Sequence, residues 1–557
     1  MLPAVWFFFV LGLAVTAVLM LPGVMRHNTR RRLLTQWGEK PEARRLDEDV
    51  LADIGEYHRL RREHMPYSGL VDDTTWRDLD MDTVLSRMNF CQSVAGSEVL
   101  HDMLRDTGLD GEALAAREAR VSLFETDVAS RLECQLALRR VGKASFHGAA
   151  QHLFHPDFNT PEHPWRCYLL AVLPLLILLA GFFYPPLLLA LIPAFGLNMF
   201  IHYRTDMRYH AQGAALRHLG RVLTAGKELA KLRIPGLSPE LKQLQEDIHA
   251  LKGLNRWLPY FQMERVANPS FSFLVDFYKI FLLRDMVCLC KISGQVTKNI
   301  DALRRVYRFV GERDAEIAIA AWRSTGAYCK PEFIEEKALK ARGLIHPLLE
   351  NPVANGFNWV SHTLITGSNA SGKSTFIKAL AVNAILAQTI LTCRALSLAT
   401  CRARVMTAMA VKDNLLAGES YYIAETKALK RINLAADTPG LPLMCLVDEI
   451  LRGTNTVERI AASVAVLTSF LRKNMLVINA THDVELVTLL QGKYDNYHFS
   501  EDMSQSGMCF SYLIQPGPAR GRNAIKLLEH LGFDPMIVSQ ARELAGYYDH
   551  NGEWPSP

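Results

Sequence analysis

The sequence predicts an α/β P-loop domain in its C-terminal part, preceded by an all-helical region that carries transmembrane helices. Three observations support this prediction. A glycine-bounded phosphate-binding pattern lies between a β-prone run and a helical run, a downstream apolar run ends in two carboxylates, and two long apolar blocks interrupt the N-terminal half. The first two are typical of nucleotide-binding domains, and the third is typical of membrane proteins.

Composition sets the broad limits. A chain of 557 residues should form three or four domains, at roughly 100–200 residues each. The net charge of +5 is too small for a protein whose whole surface is basic enough to bind polyanions. Local arginine clusters could still face lipid or nucleic acid. The ten cysteines show no C-x-x-C spacing, so we expect reduced, cytosolic thiols.

The first apolar block, Trp6–Val24, contains no charged residue. Its length is close to the ~20 residues that a helix needs to cross a membrane. No Lys or Arg precedes it and no small-x-small cleavage site follows it, so an uncleaved anchor is favoured over a cleaved signal peptide. The basic run Arg26–Arg32 then predicts that the following chain starts in the cytoplasm.

The second apolar block, Tyr168–Ile201, is divided by Pro185-Pro186. As one helix it would be about 50 Å long, which exceeds the ~30 Å hydrocarbon core, and the prolines would break it. We therefore expect a hairpin of two short spans. Arg166 before the block and Arg204 and Arg208 after it favour two cytoplasmic ends. A buried helical pair in a soluble domain remains the alternative.

The phosphate-binding pattern is Gly367-x-x-x-x-Gly372-Lys373-Ser374. It follows the β-prone run SHTLITG and opens the helical run STFIKALAVNAILAQTI. In that context backbone N–H groups and the helix N-terminus hold phosphates, and we expect Lys373 to neutralise the β- and γ-phosphates and Ser374 to ligate magnesium. A chance match is the alternative if the loop is taken alone.

Two further runs have the character of buried parallel strands. Leu441–Ile450 is continuously apolar and contains Asp448 and Glu449, which we expect to hold magnesium through water and to polarise the attacking water, respectively. Asn474–Asp483 carries His482 near its end, where a γ-phosphate sensor would stand. A structural histidine is the alternative at that position.

Four motifs together resemble the ATPase motifs of the MutS DNA mismatch repair family in order and spacing. They are GSNASGKST (Gly367–Thr375), DNLLAGESYYIAE (Asp413–Glu425), DEILRGTNT (Asp448–Thr456) and ATHDVEL (Ala480–Leu486). The similarity is widest from His346 to about Ala545, and Val71–Arg105 is more weakly similar to the start of the family's helical lever. The resemblance implies an ABC-type ATPase that works as a homodimer through its ATPase domains, with ATP and Mg²⁺ held between two subunits.

The resemblance also implies roles for individual residues. Catalysis would fall to Glu449, His482 and Lys373, and magnesium to Ser374 and Asp448, while Ser420 would reach the ATP of the partner in trans. The nucleotide would be held by Gly367, Ser368, Asn369, Ala370, Ser371, Gly372, Lys373, Ser374 and Thr375. The sequence departs from the family pattern at Ser368, Ala370, Ser371, Glu419, Tyr421 and Leu451, where a glycine is usual at the last.

The N-terminal half differs from mismatch-reading members. We find no plausible mismatch-reading domain, and the apolar hairpin stands where those proteins place a DNA-gripping clamp. Six basic positions on predicted long helices could contact DNA phosphates or simply face solvent: Arg217, Arg221, Lys227, Arg304, Arg305 and Arg308.

The predicted organisation has six parts. These are an anchor with its basic flank (1–32), a first helical lever part (33–166), the transmembrane hairpin (167–203), a second lever part (204–340), the ATPase domain (341–545) and a flexible tail (546–557). The expected protein is a multi-pass protein of the inner or plasma membrane, in contact with lipid, whose cytoplasmic ATPase domain drives the helical levers. A membrane-tethered sensor of mismatched or branched DNA and an ABC-like transport motor are the alternatives.

Overall fold

The computed structural model describes most of the chain. The described residues are 23–39, 46–65, 69–143, 148–156, 163–234, 236–258, 276–368, 371–409, 421–504, 507–519, 525, 528–529, 531–551 and 554–555. They form two compact units. The first contains described residues of the segments Met1–Tyr67, Leu85–Met103 and Gly111–Gly326, and the second contains those of Ser68–Val84, Leu104–Asp110 and Ala327–Pro557.

All regular structure before the first strand is helical within the described residues. Thirteen α-helices can be bounded: α1 Glu48–His64, α2 Asp73–Asp78, α3 Met81–Met88, α4 Val94–Arg105, α5 Gly111–Thr126, α6 Val128–Leu138, α7 Ala149–Phe154, α8 Pro164–Phe183, α9 Leu191–Leu229, α10 Ser238–Ala250, α11 Lys252–Asn255, α12 Arg284–Lys298 and α13 Ile300–Arg323. Residues 23–35 and 276–281 are also helical.

Helix α13 is the central element of the first unit. It packs against α5, α6, α9 and α10, and its second half is buried on every side. Because buried charges need partners, Arg323 donates to Glu118 at 2.5 Å and to Glu125 at 3.3 Å. The predicted long helices of this region are therefore present, and their polar residues pair with one another inside the unit.

Two buried carboxyl groups lie between α13 and α4. Asp314 accepts hydrogen bonds from the backbone N–H groups of Gln92 at 2.8 Å and Ser93 at 2.7 Å, and its burial raises its pKa to about 6. Glu98 accepts a hydrogen bond from the Tyr307 hydroxyl at 2.6 Å, and burial raises the pKa of Glu98 to about 8. Both groups make the stability of this unit depend on pH.

Replacing Glu98 by Gln should reduce that dependence. A raised pKa means that the folded state binds the Glu98 proton more tightly than the unfolded state does. Stability is therefore complete below the unfolded pKa near 4.5 and falls as the pH rises toward about 8. In thermal unfolding from pH 5 to 8.5, we expect Glu98→Gln to lose less stability than the wild type. The exposed control Glu246→Gln should follow the wild type, and equal slopes for all three proteins would contradict the prediction.

The second apolar block forms an exposed helical pair. Helix α8 ends at Phe183, and the prolines open a 3₁₀ segment, Pro185–Ala190, that leads into α9. Pro164–Phe183 and Pro185–Arg204 are long and apolar enough to cross a membrane by length and composition. The tip is highly exposed: Phe182 at 84%, Phe183 at 80%, and both Leu189 and Ile192 at 72%. Of the first predicted span, Trp6–Val24, only the last two residues lie within the described residues.

The base of the helical pair is fixed by a buried amide. Asn198 on α9 donates to the carbonyl oxygens of Leu170 on α8 at 3.2 Å and of Phe281 at 2.9 Å. Helix α9 then continues without interruption to Leu229, so the predicted boundary between residues 203 and 204 falls inside one helix. The apolar arm and the following basic stretch are consequently parts of the same element.

The second unit is a mixed α/β structure. Its strands are β1 Glu332–Phe333, β2 Leu339–Leu344, β3 Asn355–Trp359, β4 Thr363–Thr366, β5 Ser397–Thr400, β6 Arg404–Ala408, β7 Leu443–Asp448, β8 Met475–Thr481, β9 Asp495–Ser504 and β10 Gly507–Pro516. Its later helices are α14 Lys373–Ile390, α15 Tyr421–Asp437, α16 Thr456–Phe470, α17 Val484–Leu489 and α18 Pro535–Asn551. The strands form a four-stranded sheet in the order β1-β5-β2-β3 and a six-stranded sheet in the order β10-β9-β4-β8-β7-β6.

The edge strand β6 of the larger sheet is covered by helix α2. The backbone N–H of Thr407 in β6 donates to the Thr75 hydroxyl at 3.2 Å, and the N–H of Met409 donates to Asp78 at 2.9 Å. Asp78 also accepts from the Thr407 hydroxyl at 2.7 Å. These contacts satisfy edge-strand donors that would otherwise invite another strand. Residues 71–84, expected within the helical lever, therefore belong to the unit that contains the sheets.

Candidate functional site

Three neighbouring parallel strands bring the predicted motifs to one edge of the larger sheet. Strand β8 pairs in parallel with β4 on one side and with β7 on the other. Because carboxyl ends of parallel strands meet at the same edge, the residues that follow them become neighbours. The phosphate-binding loop follows β4, Glu449 follows β7, and His482 follows β8.

The loop between β4 and α14 depends on its two glycines. Gly367 has φ +138° and Gly372 has φ +100°, conformations that residues with a Cβ rarely adopt. A Cβ at Gly367 would also lie 2.9 Å from the Ser371 hydroxyl and 3.1 Å from the carbonyl oxygen of Phe499. The glycine positions of the sequence pattern are thus required by the backbone itself.

Lys373 lies inside this loop. Its side chain is buried, and its ammonium donates to the carbonyl oxygens of Gly367 and, at 2.7 Å, of Ser368. The Ser371 hydroxyl donates to the same Ser368 carbonyl at 2.7 Å. Ser374 is half-buried and Thr375 is exposed in the first turn of α14. Asn369, Ala370 and Ser420 lie outside the described residues.

The carboxylate of Glu449 is held by two basic side chains. Its Oε1 lies 2.8 Å from Nε2 of His482, and Arg452 forms an ion pair with the same carboxylate. Burial alone would raise the pKa of Glu449, but the hydrogen bonds from His482 and Arg452 outweigh it and lower the pKa to about 2. Asp448 is the last residue of β7 and pairs in register with Ala480 of β8.

The backbone around these residues adopts a rare conformation. Glu449 and Leu451 both have φ +57°, in the left-handed region that glycine normally occupies. The Glu449 N–H donates to the carbonyl oxygen of Ala480 at 2.9 Å, which fixes the turn out of β7. Leu451 stands where the motif usually has glycine, so this turn retains the glycine-like backbone without glycine. Such strain is often found at functional sites.

Glu425 on α15 lies beside the same turn. Burial raises the pKa of its carboxyl group, and the nearby backbone N–H groups of Arg452, Leu451 and Gly453 oppose part of that rise. Sequence reasoning assigned no role to Glu425 or to Arg452. Both lie inside quoted motifs, but a role for either depends on contacts that only the fold brings together.

The comparisons with known proteins agree with this arrangement. Residues 363–547 match the family model of MutS domain V. Residues 363–547 of the chain thus belong to the MutS domain V family. The mixed α/β structure described above fits a MutS domain V, and the strands β4, β7 and β8, which carry the motifs, all lie in the matched region.

Individual relatives cover only part of the chain. It is 28% identical to the DNA mismatch repair protein MutS of Thermus thermophilus over 45% of this chain and 31% of that protein. It is 28% identical to the human MutS protein homolog 4 over 46% and 29%, and 29% identical to MutS of Parasynechococcus marenigrum over 48% and 31%, respectively. The chain thus spans about a third of the length of the curated relatives it matches.

Removal of the Glu425 carboxylate should destabilise this MutS domain V. Glu425→Ala removes the buried carboxylate that attracts the backbone N–H groups of the 451–453 turn, and the loss of such a polar partner costs about 1–3 kcal/mol. We expect a lower midpoint in denaturant unfolding and faster hydrogen exchange in residues 449–453. The exposed control Glu543→Ala should match the wild type. Unchanged exchange at the turn in Glu425→Ala would show that the contact contributes nothing.

Proposed function

We propose that this protein is a membrane-associated MutS-family ATPase that hydrolyses ATP to ADP and phosphate with Mg²⁺. The observation that carries the proposal is the convergence of the Lys373 loop, Asp448, Glu449 and His482 at the carboxyl ends of three neighbouring parallel strands of the larger sheet. The match to MutS domain V supports the same interpretation, and family members are named for DNA mismatch repair.

The residues present fit a nucleotide and its magnesium. A buried ammonium held by neutral carbonyl oxygens, as at Lys373, is a favourable partner for phosphate oxygens. The loop amides and the N-terminus of α14 add further positive potential. Ser374 and Asp448 supply the oxygen ligands that Mg²⁺ prefers. Bound magnesium would neutralise charge that develops on the phosphates.

Glu449 is the candidate general base. With a pKa near 2, it is ionised at neutral pH and can accept a hydrogen bond from the attacking water. His482, at 2.8 Å, orients the carboxylate and adds positive charge near the γ-phosphate position when it is protonated. Arg452 competes with water for the carboxylate, so its contact limits how basic Glu449 is.

Replacement of Glu449 by Gln should separate binding from hydrolysis. We expect hydrolysis to fall by about 10²–10⁴-fold, because the amide cannot accept the proton, while ATP still binds. Phosphate release and binding of a fluorescent ATP analogue measure the two effects. Glu485→Gln, an exposed change on α17, is the matched control. Normal hydrolysis by Glu449→Gln would refute the catalytic assignment.

The same variant tests whether Ser420 acts in trans. A mixture of Glu449→Gln and Ser420→Ala chains would contain heterodimers with one intact composite site, formed by the Glu449 of one chain and the Ser420 of the other. We therefore expect mixing two inactive variants to restore part of the activity. No restoration, with exchange of chains shown by cross-linking, would place Ser420 in the same chain as its nucleotide or outside the site.

The effect of DNA on ATP hydrolysis, measured by phosphate release, tests whether DNA has a role. Most of the six basic positions make intramolecular contacts, such as Arg305 with Asp247 at 2.6 Å and Arg308 with Glu312 at 2.8 Å. These contacts compete with DNA phosphates, and this favours the membrane hypothesis over the DNA-sensor hypothesis. Hydrolysis that heteroduplex DNA stimulates in a salt-dependent way, more than matched duplex does, would reverse that preference.

We propose that the α8–α9 pair inserts into a lipid bilayer, with the ATPase domain in the cytoplasm. The support is the exposed apolar surface of the pair, which water would solvate poorly. Leu179→Arg and Ile192→Arg each place a charge on that surface and should reduce co-flotation with liposomes. Val457→Arg, equally exposed on α16, is the control. Equal flotation of all variants would contradict insertion of this pair.

A further inference from the structure

We propose that Glu63, His64 and His155 form a surface binding site for a divalent transition metal, with Zn²⁺ the best-suited ion. The site lies in the first unit, where the C-terminal end of α1 meets the end of α7. It is independent of the proposed ATPase activity and of the magnesium site discussed above.

The three side chains already converge. One ligand atom of each lies within 4.8 Å of the others. The two imidazole rings are 4.9 Å apart at an angle of 69°. Ligand atoms of a tetrahedral zinc site stand about 3.4 Å apart, given Zn–N distances near 2.1 Å. All three side chains are exposed, so they have room to rotate toward that separation.

A hydrogen bond at one ring nitrogen of His64 leaves the other nitrogen available to a metal. Its Nδ1 lies 2.9 Å from the carbonyl oxygen of Leu60. A carbonyl oxygen only accepts hydrogen bonds, so Nδ1 carries the proton and Nε2 presents its lone pair. Metal-bound histidines usually have their second nitrogen engaged in this way. The ring is also packed 5.4 Å from Phe154, the residue that precedes His155.

The neighbouring contacts hold the two helix ends together. Tyr57 of α1 packs edge-on against Phe154 of α7 at 5.6 Å, which keeps His155 beside the last turn of α1. Glu63 and His64 are the last two residues of α1, and the C-terminal end of a helix favours a cation. A metal would therefore bind to positions that packing has already brought together.

A hydrogen bond from Arg59 occupies one carboxylate oxygen of Glu63 and leaves the other for the metal. Arg59 donates to Oε1 of Glu63 at 2.8 Å and shares its charge with Glu56 at 2.6 Å. Oε2 of Glu63 lies 3.9 Å from Nε2 of His155. The contact with Arg59 thus fixes the orientation of Glu63, as hydrogen bonds to metal ligands commonly do.

The donor set selects the class of ion. Two imidazoles and one carboxylate suit Zn²⁺, Co²⁺ or Ni²⁺, whereas Ca²⁺ and Mg²⁺ prefer six or more oxygen ligands. Three protein ligands leave a coordination position for water or for another donor. Bound metal would connect α1 to α7, so it should raise the stability of the first unit.

Titration of the untagged full-length protein tests this site. At pH 7.5 we expect Zn²⁺ to bind in isothermal calorimetry, and Co²⁺ to give the visible absorption bands of a low-coordinate site. His64→Ala and His155→Ala should each weaken binding at least about tenfold, and Glu63→Gln should weaken it less. Binding should also weaken in acid, because protons compete with the metal for its ligands. Ca²⁺ should produce no heat at this site.

The controls separate this site from other metal-binding groups. His550→Ala removes another exposed histidine and should bind Zn²⁺ as the wild type does. The melting temperature of each variant without metal is measured in the same series, so that loss of the His64 contacts with Leu60 and Phe154 is separated from loss of metal binding. Absence of a heat signal at 100-fold excess Zn²⁺ over protein, or undiminished Co²⁺ bands in the double variant His64→Ala, His155→Ala, would overturn the proposal.

Discussion

The parallel pairing of β8 with both β4 and β7 is the constraint on which the candidate site depends. All seven residues of β8 are buried, so apolar packing holds the strand from both faces of the sheet. One residue along a strand corresponds to about 3.3 Å. A slip of one residue would therefore move His482 beyond hydrogen-bond reach of Glu449 and turn its side chain to the other face.

The same pairing explains why Glu449 is both ionised and restrained. The backbone contact with Ala480 turns the chain sharply out of β7, and Arg452 and His482 then reach the carboxylate from two directions. Contacts that stabilise a carboxylate also reduce its basicity. The rigidity of the sheet edge and the proton affinity of Glu449 are consequently linked properties, and Arg452, which is more exposed than Glu449, is the adjustable contact.

Local sequence patterns predicted the elements that carry the site. The strand, loop and helix around Lys373 and the apolar strand ending at Asp448 follow from periodicity and motif spacing, and the structure contains them. The left-handed turn at Glu449 and Leu451 was not predictable, because glycine normally marks such a position and is absent here. The cover of β6 by Asp78 was also missed, since it joins residues more than 300 positions apart. Contacts of that kind leave no periodic trace in a sequence.

The continuity of α9 has a mechanical consequence. A straight helix of 39 residues is about 58 Å long, and its hydrogen-bonded backbone resists bending. A tilt of about 10° at one end carries the other end through roughly 10 Å, at that length. Because the exposed apolar arm and the buried segment near Leu229 share this one rod, a small angular adjustment in the helical core becomes a large displacement at the tip that carries Ile192.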